Sequence, residues 1–369
     1  MNIVQCIATL DSKNGGPTEC AVNINYNFLL EKHNAKIITM DATSKVEAED
    51  KNELVSFSGF IVYRYVKLLK YLLTNPIDLM YIHGLHLPVS WLSGIIARFR
   101  KIPYVVQLHG TMEPYEFARH SLRKNVFHFT IGINFLKNAY FIIAASTSEK
   151  TNIQEKIANL NVIVNPLGVR IPNEMNNVSI DRVRLKEHFF TTSFDNRVLF
   201  LGRLAKKKHP ELLLELVVQF HDIHLVMAGP EDYWSEDELL RLIPENFHFK
   251  VSFPKQVDQL EKWWLLQNVK IFLLPSDNEN FAITVAEAMC AGTLCVVSHN
   301  VATSQFVSDL DSGIVLQDLS FNSLRESVEY LIEKQDRSEI RLERIKKAQH
   351  IFDWRIFTKR ILEILNGSQ

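Results

Sequence analysis

The chain has 369 residues, of which 47% are apolar and 22% charged, with a net charge of −1. That length suits two domains, each with its own core, and the composition is that of an ordinary globular chain. The balanced charge argues against a dedicated nucleic-acid binder, and no run of about 18 uncharged apolar residues offers a spanning helix. Met1 leads straight into a strand-like run with no basic and apolar leader, so a secretory signal is not expected. Cys6, Cys20, Cys290 and Cys295 lie in segments that read as core. No second pair completes Cys290-x4-Cys295 as a metal site, so free buried thiols and a cytoplasmic location are expected.

Residues Asn2–Ala8 read as a buried strand, followed by a loop carrying Gly15 and Gly16 and a helix from Cys20 to Lys32, with Pro17 in its first turn. Two glycines ahead of a helix let a ligand approach the backbone, or simply make a turn. Ala35–Met40 is a second strand, and Asp41–Glu53 a polar connection. Between Phe57 and Leu73, aromatic and aliphatic residues interleave with Arg64, Lys67 and Lys70. Such a helix packs its apolar side on a sheet or lies on an anionic membrane. Ile77–His83 and Pro103–His109 are further strands around a helix, Pro88–Arg100. This alternation predicts a parallel sheet covered on both faces, with His109 at a carboxyl strand end where ligands bind. Arg119–Lys137 is a second basic and aromatic stretch, Ala139–Ser146 a strand, Glu149–Leu160 a helix and Val162–Arg170 the last piece of the first domain.

The polar stretch Ile171–Asn196, with a short helical piece at Ser179–His188, reads as the interdomain connection. A second sheet opens at Arg197–Gly202 and runs into Arg203, Lys206, Lys207 and Lys208 before the helix Glu211–Phe220. Four cations at a strand–helix junction call for an anion, or form a solvated surface run. Ile223–Gly229 and Phe247–Phe253 read as strands. Val269–Leu274 is a buried strand stopped by Pro275, followed by a loop and a helix from Ile283 to Ala291 with Gly292 at its end. The amides of Phe281, Ala282 and Ile283 then mark a helix start fit for an anion. Glu279 and Glu287 either accept hydrogen bonds from sugar hydroxyls or are a loop and a helix-surface charge. Thr293–Ser298 and Gly313–Leu316 are the final strands, and Phe321–Lys334, Arg337–Ile351 and Trp354–Leu365 the final helices.

Glu279-x7-Glu287, with Asn280-Phe281-Ala282 inside it and Gly292 beyond, resembles the E-x7-E region of retaining nucleotide-sugar glycosyltransferases of family 4. There the pattern is close to E-G-F-G-x-x-x-x-E-A-M-A-x-G-x-P-V-V. Asn280 and Ala282 replace two glycines and Leu294 a proline; the Ala282 methyl is the departure that bears on the donor sugar. Gly202-Arg203 through Lys208 is similar to the family's G-R-x-x-x-x-K segment, His109-Gly110 to its P-H-G segment, and Gly15-Gly16-Pro17 to its Gly-Gly loop. Pro254 stands where the family has a glycine near the nucleotide base, and Leu167 replaces an asparagine in Pro-Asn-Gly-Val. Asp309-Leu-Asp311 falls in a turn of the family and is read as a turn, not a metal site.

The resemblance implies an α/β GT-B fold: two Rossmann-like domains facing across a cleft, with the C-terminal helix crossing back. Residues 1–172 plus 353–369 would form the acceptor side and 190–352 the nucleotide-sugar side. It implies retaining, metal-independent hexosyl transfer without a cofactor, from a nucleoside diphosphate sugar to a glycan or lipid-linked acceptor. Surface polysaccharide synthesis at the inner membrane face is the expected setting. Arg203 and Lys208 would hold the diphosphate, with the amides of Phe281, Ala282 and Ile283 beside it. Glu279 would hold donor-sugar hydroxyls, Glu287 the ribose, and Gly15, Gly16 and Gly202 would line the donor. His109 would line the reaction centre, and Lys206 and Lys207 would face solvent. A sugar-nucleotide 2-epimerase of the same fold would act without an acceptor, a phosphorylase would need pyridoxal on a lysine, and a non-catalytic scaffold would not require Arg203, Lys208 and Glu279.

Overall fold

A computed structural model describes residues 1–11, 16–40, 53–112, 131–172, 196–334 and 336–367. Gly15, most of the 41–53 connection, the first part of the 119–137 stretch and most of the 171–196 connection, including the helical piece read at 179–188, lie outside the described residues. The chain divides into two compact units, residues 1–168 with 353–369, and residues 169–352.

In the first unit seven parallel strands stand in the order β3-β2-β1-β4-β5-β6-β7. They are β1 (Asn2–Ile7), β2 (Asn34–Thr39), β3 (Leu54–Ser56), β4 (Leu79–His83), β5 (Tyr104–Gln107), β6 (Phe141–Ala144) and β7 (Val162–Val164). The helices are α1 (Gly16–Leu30), α2 (Ile61–Thr74), α3 (Pro88–Phe99), α4 (Ile133–Lys137) and α5 (Thr147–Lys156). Alternation along the strands splits the core. Val4, Cys6, Met80, Ile82, Val106 and Ile142 pack on one face with Leu68 and Leu72 of α2, while Ile7, Ile37 and Ala21 meet on the other. Helix α2 starts four residues later than the periodicity predicts and buries only Leu68 and Leu72. Phe60, Ile61, Val62, Tyr63, Val66 and Leu73 stay exposed, as does Phe99 of the neighbouring α3.

The second unit has six parallel strands in the order β10-β9-β8-β11-β12-β13. These are β8 (Asn196–Leu201), β9 (Ile223–Ala228), β10 (Val251–Ser252), β11 (Ile271–Leu274), β12 (Leu294–Ser298) and β13 (Gly313–Leu316). Their helices are α6 (Pro210–Gln219), α7 (Glu236–Leu240), α8 (Gln259–Asn268), α9 (Ile283–Ala291), α10 (Ser304–Asp309), α11 (Phe321–Glu333) and α12 (Ser338–Ile351). The strand read at 247–253 is a correction. Pro244 starts a tight helical turn, Glu245–Lys250, whose Lys250 ammonium reaches down to the carbonyls of Val217 and Phe220. Only Val251–Ser252 pairs with β9. Three helices are absent from the sequence reading, α7, α8 and α10, and the first two open on a capping box, Ser235 with Glu238 and Asp258 with Glu261.

The last helix, α13 (Trp354–Gly367), belongs to the first unit, where it packs on α1. Trp354 lies over Gly168, so that a Cβ there would come within 2.4 Å of the indole, and buried Asn165 donates to the Phe357 carbonyl at 3.1 Å.

Candidate active site

Each sheet reverses its strand order between two central neighbours, β1 and β4 in the first unit and β8 and β11 in the second. In open parallel sheets the crevice at the carboxyl ends of such a pair is where ligands sit.

In the second unit, β8 runs into Gly202, Arg203 and a turn of 3-10 helix at Lys206–Lys208, while β11 runs into the loop from Pro275 to Ala282. The two loops are tied by backbone. The Asp277 amide donates to the Lys207 carbonyl at 2.8 Å, and so does the Ser276 hydroxyl at 3.0 Å. Both Lys207 and Lys208 place Nζ 3.3 Å from Oε1 of Glu279, and Lys207 also donates to the Asn278 carbonyl at 3.0 Å. Lys207, expected in solvent, is therefore part of the cluster. In the tight turn its side chain and that of Lys208 reach the same carboxylate. Lys206 remains exposed, above the Tyr233 ring.

The Lys208 ammonium lies over Gly202, where a Cβ would sit 2.8 Å from Nζ. Gly229, the glycine of the Ala-Gly-Pro turn, backs the Gly202 carbonyl so closely that a Cβ would come within 2.0 Å. Arg203 is exposed and pairs with Asp232 at 2.6 Å. The Glu279 backbone is pinned to the next loop by the Ala302 amide, which donates to its carbonyl at 3.0 Å. His209 bridges Asp277 at 2.7 Å and Glu211 at 3.0 Å; burial pulls its pKa down, and the two carboxylates outweigh that and raise it.

Helix α9 starts at Ile283, with Ala282 as its N-cap in the left-handed region (φ 53°, ψ 68°) and no side-chain cap. Its first-turn amides are thus those of Ile283, Thr284 and Val285, the last bonded to the Ala282 carbonyl at 2.9 Å. Phe281 is instead buried edge-on against Phe352. Glu287 is buried within α9 and paired with Lys262 of α8. Lys262 escaped the sequence reading because α8 did.

In the first unit Gly16 opens α1, and among the described residues beyond its own helix backbone and chain neighbours nothing lies within 4 Å of where a Cβ would stand. His109 follows β5 in a turn closed by the Thr111 amide on the Leu108 carbonyl, and both central residues, His109 (φ 53°) and Gly110 (φ 75°), have positive φ. Buried Glu149 near the start of α5 fixes that turn, accepting from the amides of Gly110 at 2.9 Å and Ala145 at 2.7 Å. The His109 ring stacks on His83, the last residue of β4, with its Nε2 2.9 Å from Nδ1 of His83. Burial lowers the His109 pKa to about 4; burial and then His109 hold His83 well below the ordinary range. Beside them Tyr81 and Cys20 both donate to Oε1 of Gln107, at 2.6 and 3.3 Å.

Two parallel Rossmann-like sheets, each with ligand-directed loops at its order reversal, define a GT-B architecture. Anabaena HepE in complex with UDP and glucose shares it, with a TM-score of 0.78 over 100% of both chains at 18% identity. Residues 31–171 match Glycosyltransferase Family 4 and residues 184–350 match Glycosyl transferases group 1. The phosphatidyl-myo-inositol mannosyltransferase of Mycolicibacterium smegmatis is 27% identical over 173 residues, 45% of this chain and 44% of that protein. The D-inositol 3-phosphate glycosyltransferase of Mycolicibacterium gilvum is 30% identical over 125 residues, 32% of this chain and 28% of that protein. The chain thus spans less than half the length of these two curated relatives. With one glycosyltransferase family matched in each half, the chain belongs to the GT-B glycosyltransferases of the group 1 and family 4 type.

Proposed function

We propose that this protein transfers a hexosyl group from a nucleoside diphosphate sugar to a hydroxyl of a glycan or lipid-linked acceptor, with retention of anomeric configuration. The observation that carries the reading is the convergence of Lys207 and Lys208 on Glu279, at the carboxyl ends of β8 and β11. Breaking the bond from the anomeric carbon to the diphosphate leaves negative charge on the departing oxygen. Lys208, the first-turn amides of α9 and Arg203, swung from Asp232, stabilise that charge in place of a metal ion. Glu279 accepts from donor-sugar hydroxyls, and Glu287, covered here by Lys262, accepts from the ribose once the Lys262 side chain moves off it. The acceptor hydroxyl attacks on the face the diphosphate leaves, and its proton passes to the leaving phosphate oxygen, so no separate base is needed. Lys207 shares Glu279 with Lys208 and keeps its carboxylate aimed at the sugar.

The test is a panel of nucleotide sugars, followed by nucleotide release and by NMR of the product anomer. Replacing one charge-stabilising group commonly raises a barrier by about 2.7–4 kcal/mol. Arg203→Ala and Lys208→Met should therefore each slow turnover about a hundredfold or more, and near-normal turnover would sink the assignment. The rate should persist in excess EDTA; its loss, restored by a divalent ion, would overturn the metal-independent reading.

The acceptor is taken to be lipid-linked or surface glycan at the inner membrane face. Support comes from the exposed apolar residues Phe60, Ile61, Val62, Tyr63 and Val66 beside Arg64, Lys67 and Lys70. The name of the mycobacterial mannosyltransferase, which denotes a lipid acceptor, points the same way. Co-sedimentation with anionic vesicles should be strong at low salt and weaken as salt screens it. No binding at low salt removes the membrane claim.

A further inference from the structure

The central strands of the first unit carry a line of polar side chains where apolar ones would be expected. Gln5 on β1 is in register with Tyr81 on β4, and His83 with Gln107 on β5, so all four residues share the face covered by α1. All are buried. Burying them is costly unless they are hydrogen-bonded, and the bonds they make have a fixed direction.

The direction starts at α1. Gln5 Nε2 lies 3.0 Å from the Ala21 carbonyl and 3.2 Å from Oδ1 of Asn25, while Nδ2 of Asn25 lies 3.3 Å from Oε2 of Glu53. A backbone carbonyl and an ionised carboxylate can only accept. The two amides must therefore point their NH2 groups toward α1 and Glu53, which turns Oε1 of Gln5 toward His83, 2.9 Å from its Nε2. That oxygen accepts, so His83 carries its proton on Nε2. Burial keeps the ring neutral, so its Nδ1 is bare and accepts from Nε2 of His109 at 2.9 Å. A neutral His109 with its proton on Nε2 has a lone pair on Nδ1.

We infer that Gln5 and His83, oriented by Ala21, Asn25 and Glu53, are positioning residues that lock His109 as the Nε2–H tautomer and make its Nδ1 a hydrogen-bond acceptor for a substrate hydroxyl. The part concerning substrate rests on the glycosyl-transfer reading above; the tautomer does not. Unlike a lone histidine, this ring cannot exchange its acceptor nitrogen for a donor without reversing every hydrogen bond back to α1. The sheet register therefore sets the polarity of a group beyond the strand ends.

The test separates the two parts. The whole chain labelled with 15N-histidine, its His83 and His109 signals assigned through His83→Gln and His109→Gln, reports the tautomers through long-range 1H–15N couplings. Both rings should be neutral, with the proton on Nε2. A proton on Nδ1 of either ring overturns the relay, whatever the enzyme does. Gln5→Leu removes the oxygen that faces His83, whereas Gln5→Glu offers no N–H to the Ala21 carbonyl and sets a carboxylate against the ring. That favours an imidazolium at His83, whose Nδ1 donates to His109 and moves the His109 proton to Nδ1. Losing one hydrogen bond is worth about tenfold in rate. With the donor identified as above, Gln5→Leu should lose about tenfold in kcat/KM, and Gln5→Glu at least as much, with the His109 proton found on Nδ1. Equal rates in wild type and Gln5→Leu would overturn the positioning role. If no donor is turned over by the wild type, the functional reading fails and the tautomer result still decides the relay. If Gln5→Leu does not fold, the wild-type tautomers and the reversed His109 tautomer expected in Gln5→Glu decide it.

Discussion

The pair Lys262–Glu287 makes a quantitative claim, because one member is fully buried and the other nearly so. Glu287 sits at 0% side-chain exposure and Lys262 at 18%. Lys262→Met keeps the length and apolar stem of the side chain and removes only the ammonium. Breaking a buried pair by deleting one partner costs about 3–5 kcal/mol, because a charge stays behind in a poorly solvating site. The partial exposure of Lys262 lets water relieve some of that cost, which places the expected loss at the lower end, about 3 kcal/mol. Adding Glu287→Gln to Lys262→Met removes the stranded charge and should restore at least about 1 kcal/mol. The two substitutions are then far from additive. Urea unfolding of the four variants of this cycle, followed by tryptophan fluorescence, measures both quantities, since Trp263 and Trp264 are buried on the same helix. A loss below about 1 kcal/mol in Lys262→Met, or a double variant no better than the single, would refute the reasoning.

Two further outcomes follow from strain and burial. Ala282 holds a left-handed conformation that costs a non-glycine residue about 1–2 kcal/mol. Ala282→Gly relieves it, less about 0.4–1 kcal/mol for the freer unfolded chain, and should be modestly stabilising, whereas branched Ala282→Val should be clearly destabilising; the same sign for both in thermal unfolding would contradict this. His109 and His224 are held at about 4, His109 by burial and His224 by burial and then Arg197, against about 6.5 in an unfolded chain. Above about pH 6.5 both states are neutral and stability is flat in these groups. Below it the unfolded chain takes up protons that the folded chain refuses, so stability falls by about 1.4 kcal/mol per pH unit for each histidine down to about pH 4. His209, with its raised pKa, works in the opposite sense. Urea midpoints at pH 7, 6 and 5 for wild type and His224→Phe isolate one share; an unchanged difference between them across that range would refute it.

Much of the second-unit site was legible because it uses patterns that local sequence carries. A β-branched run ends at Pro275, a glycine ends α9 at position 292, and the cations follow directly on a strand. What the sequence could not display is which of three consecutive lysines turns inward. That depends on a three-residue turn whose geometry brings both Lys207 and Lys208 to Glu279. Lys262 was hidden for a different reason. The four consecutive buried residues Trp263 to Leu266 spoil the 3.6-residue alternation by which a helix is recognised, leaving only the capping box as a signal. Gln5 and His83 were passed over as members of apolar strands. Their meaning lies in partners 16 to 78 positions away, which only the parallel register brings together.

Backbone strain separates the two ends of each sheet. Of the non-glycine residues with positive φ among the described residues, Lys32, Lys101, Asn159 and Asp311 follow the ends of helices, where a left-handed residue ordinarily satisfies the last carbonyls. His109, His209 and Ala282 are different, for they lie in loops that leave the carboxyl ends of β5, β8 and β11. His109 and Ala282 close no helix, His209 closes only the 3-10 turn Lys206–Lys208, and glycine would relieve the strain at each. Each is over-determined by its surroundings: Glu149 and His83 at His109, Asp277 and Glu211 at His209, and the burial of Phe281 beside Ala282. Strain held in place by neighbours is what preorganised sites show. All three cases lie beyond the carboxyl ends of strands, where ligands of open parallel sheets sit, so in each unit the sheet and its neighbours fix the backbone of these loops, at the imidazole of the first and at the cationic turn of the second.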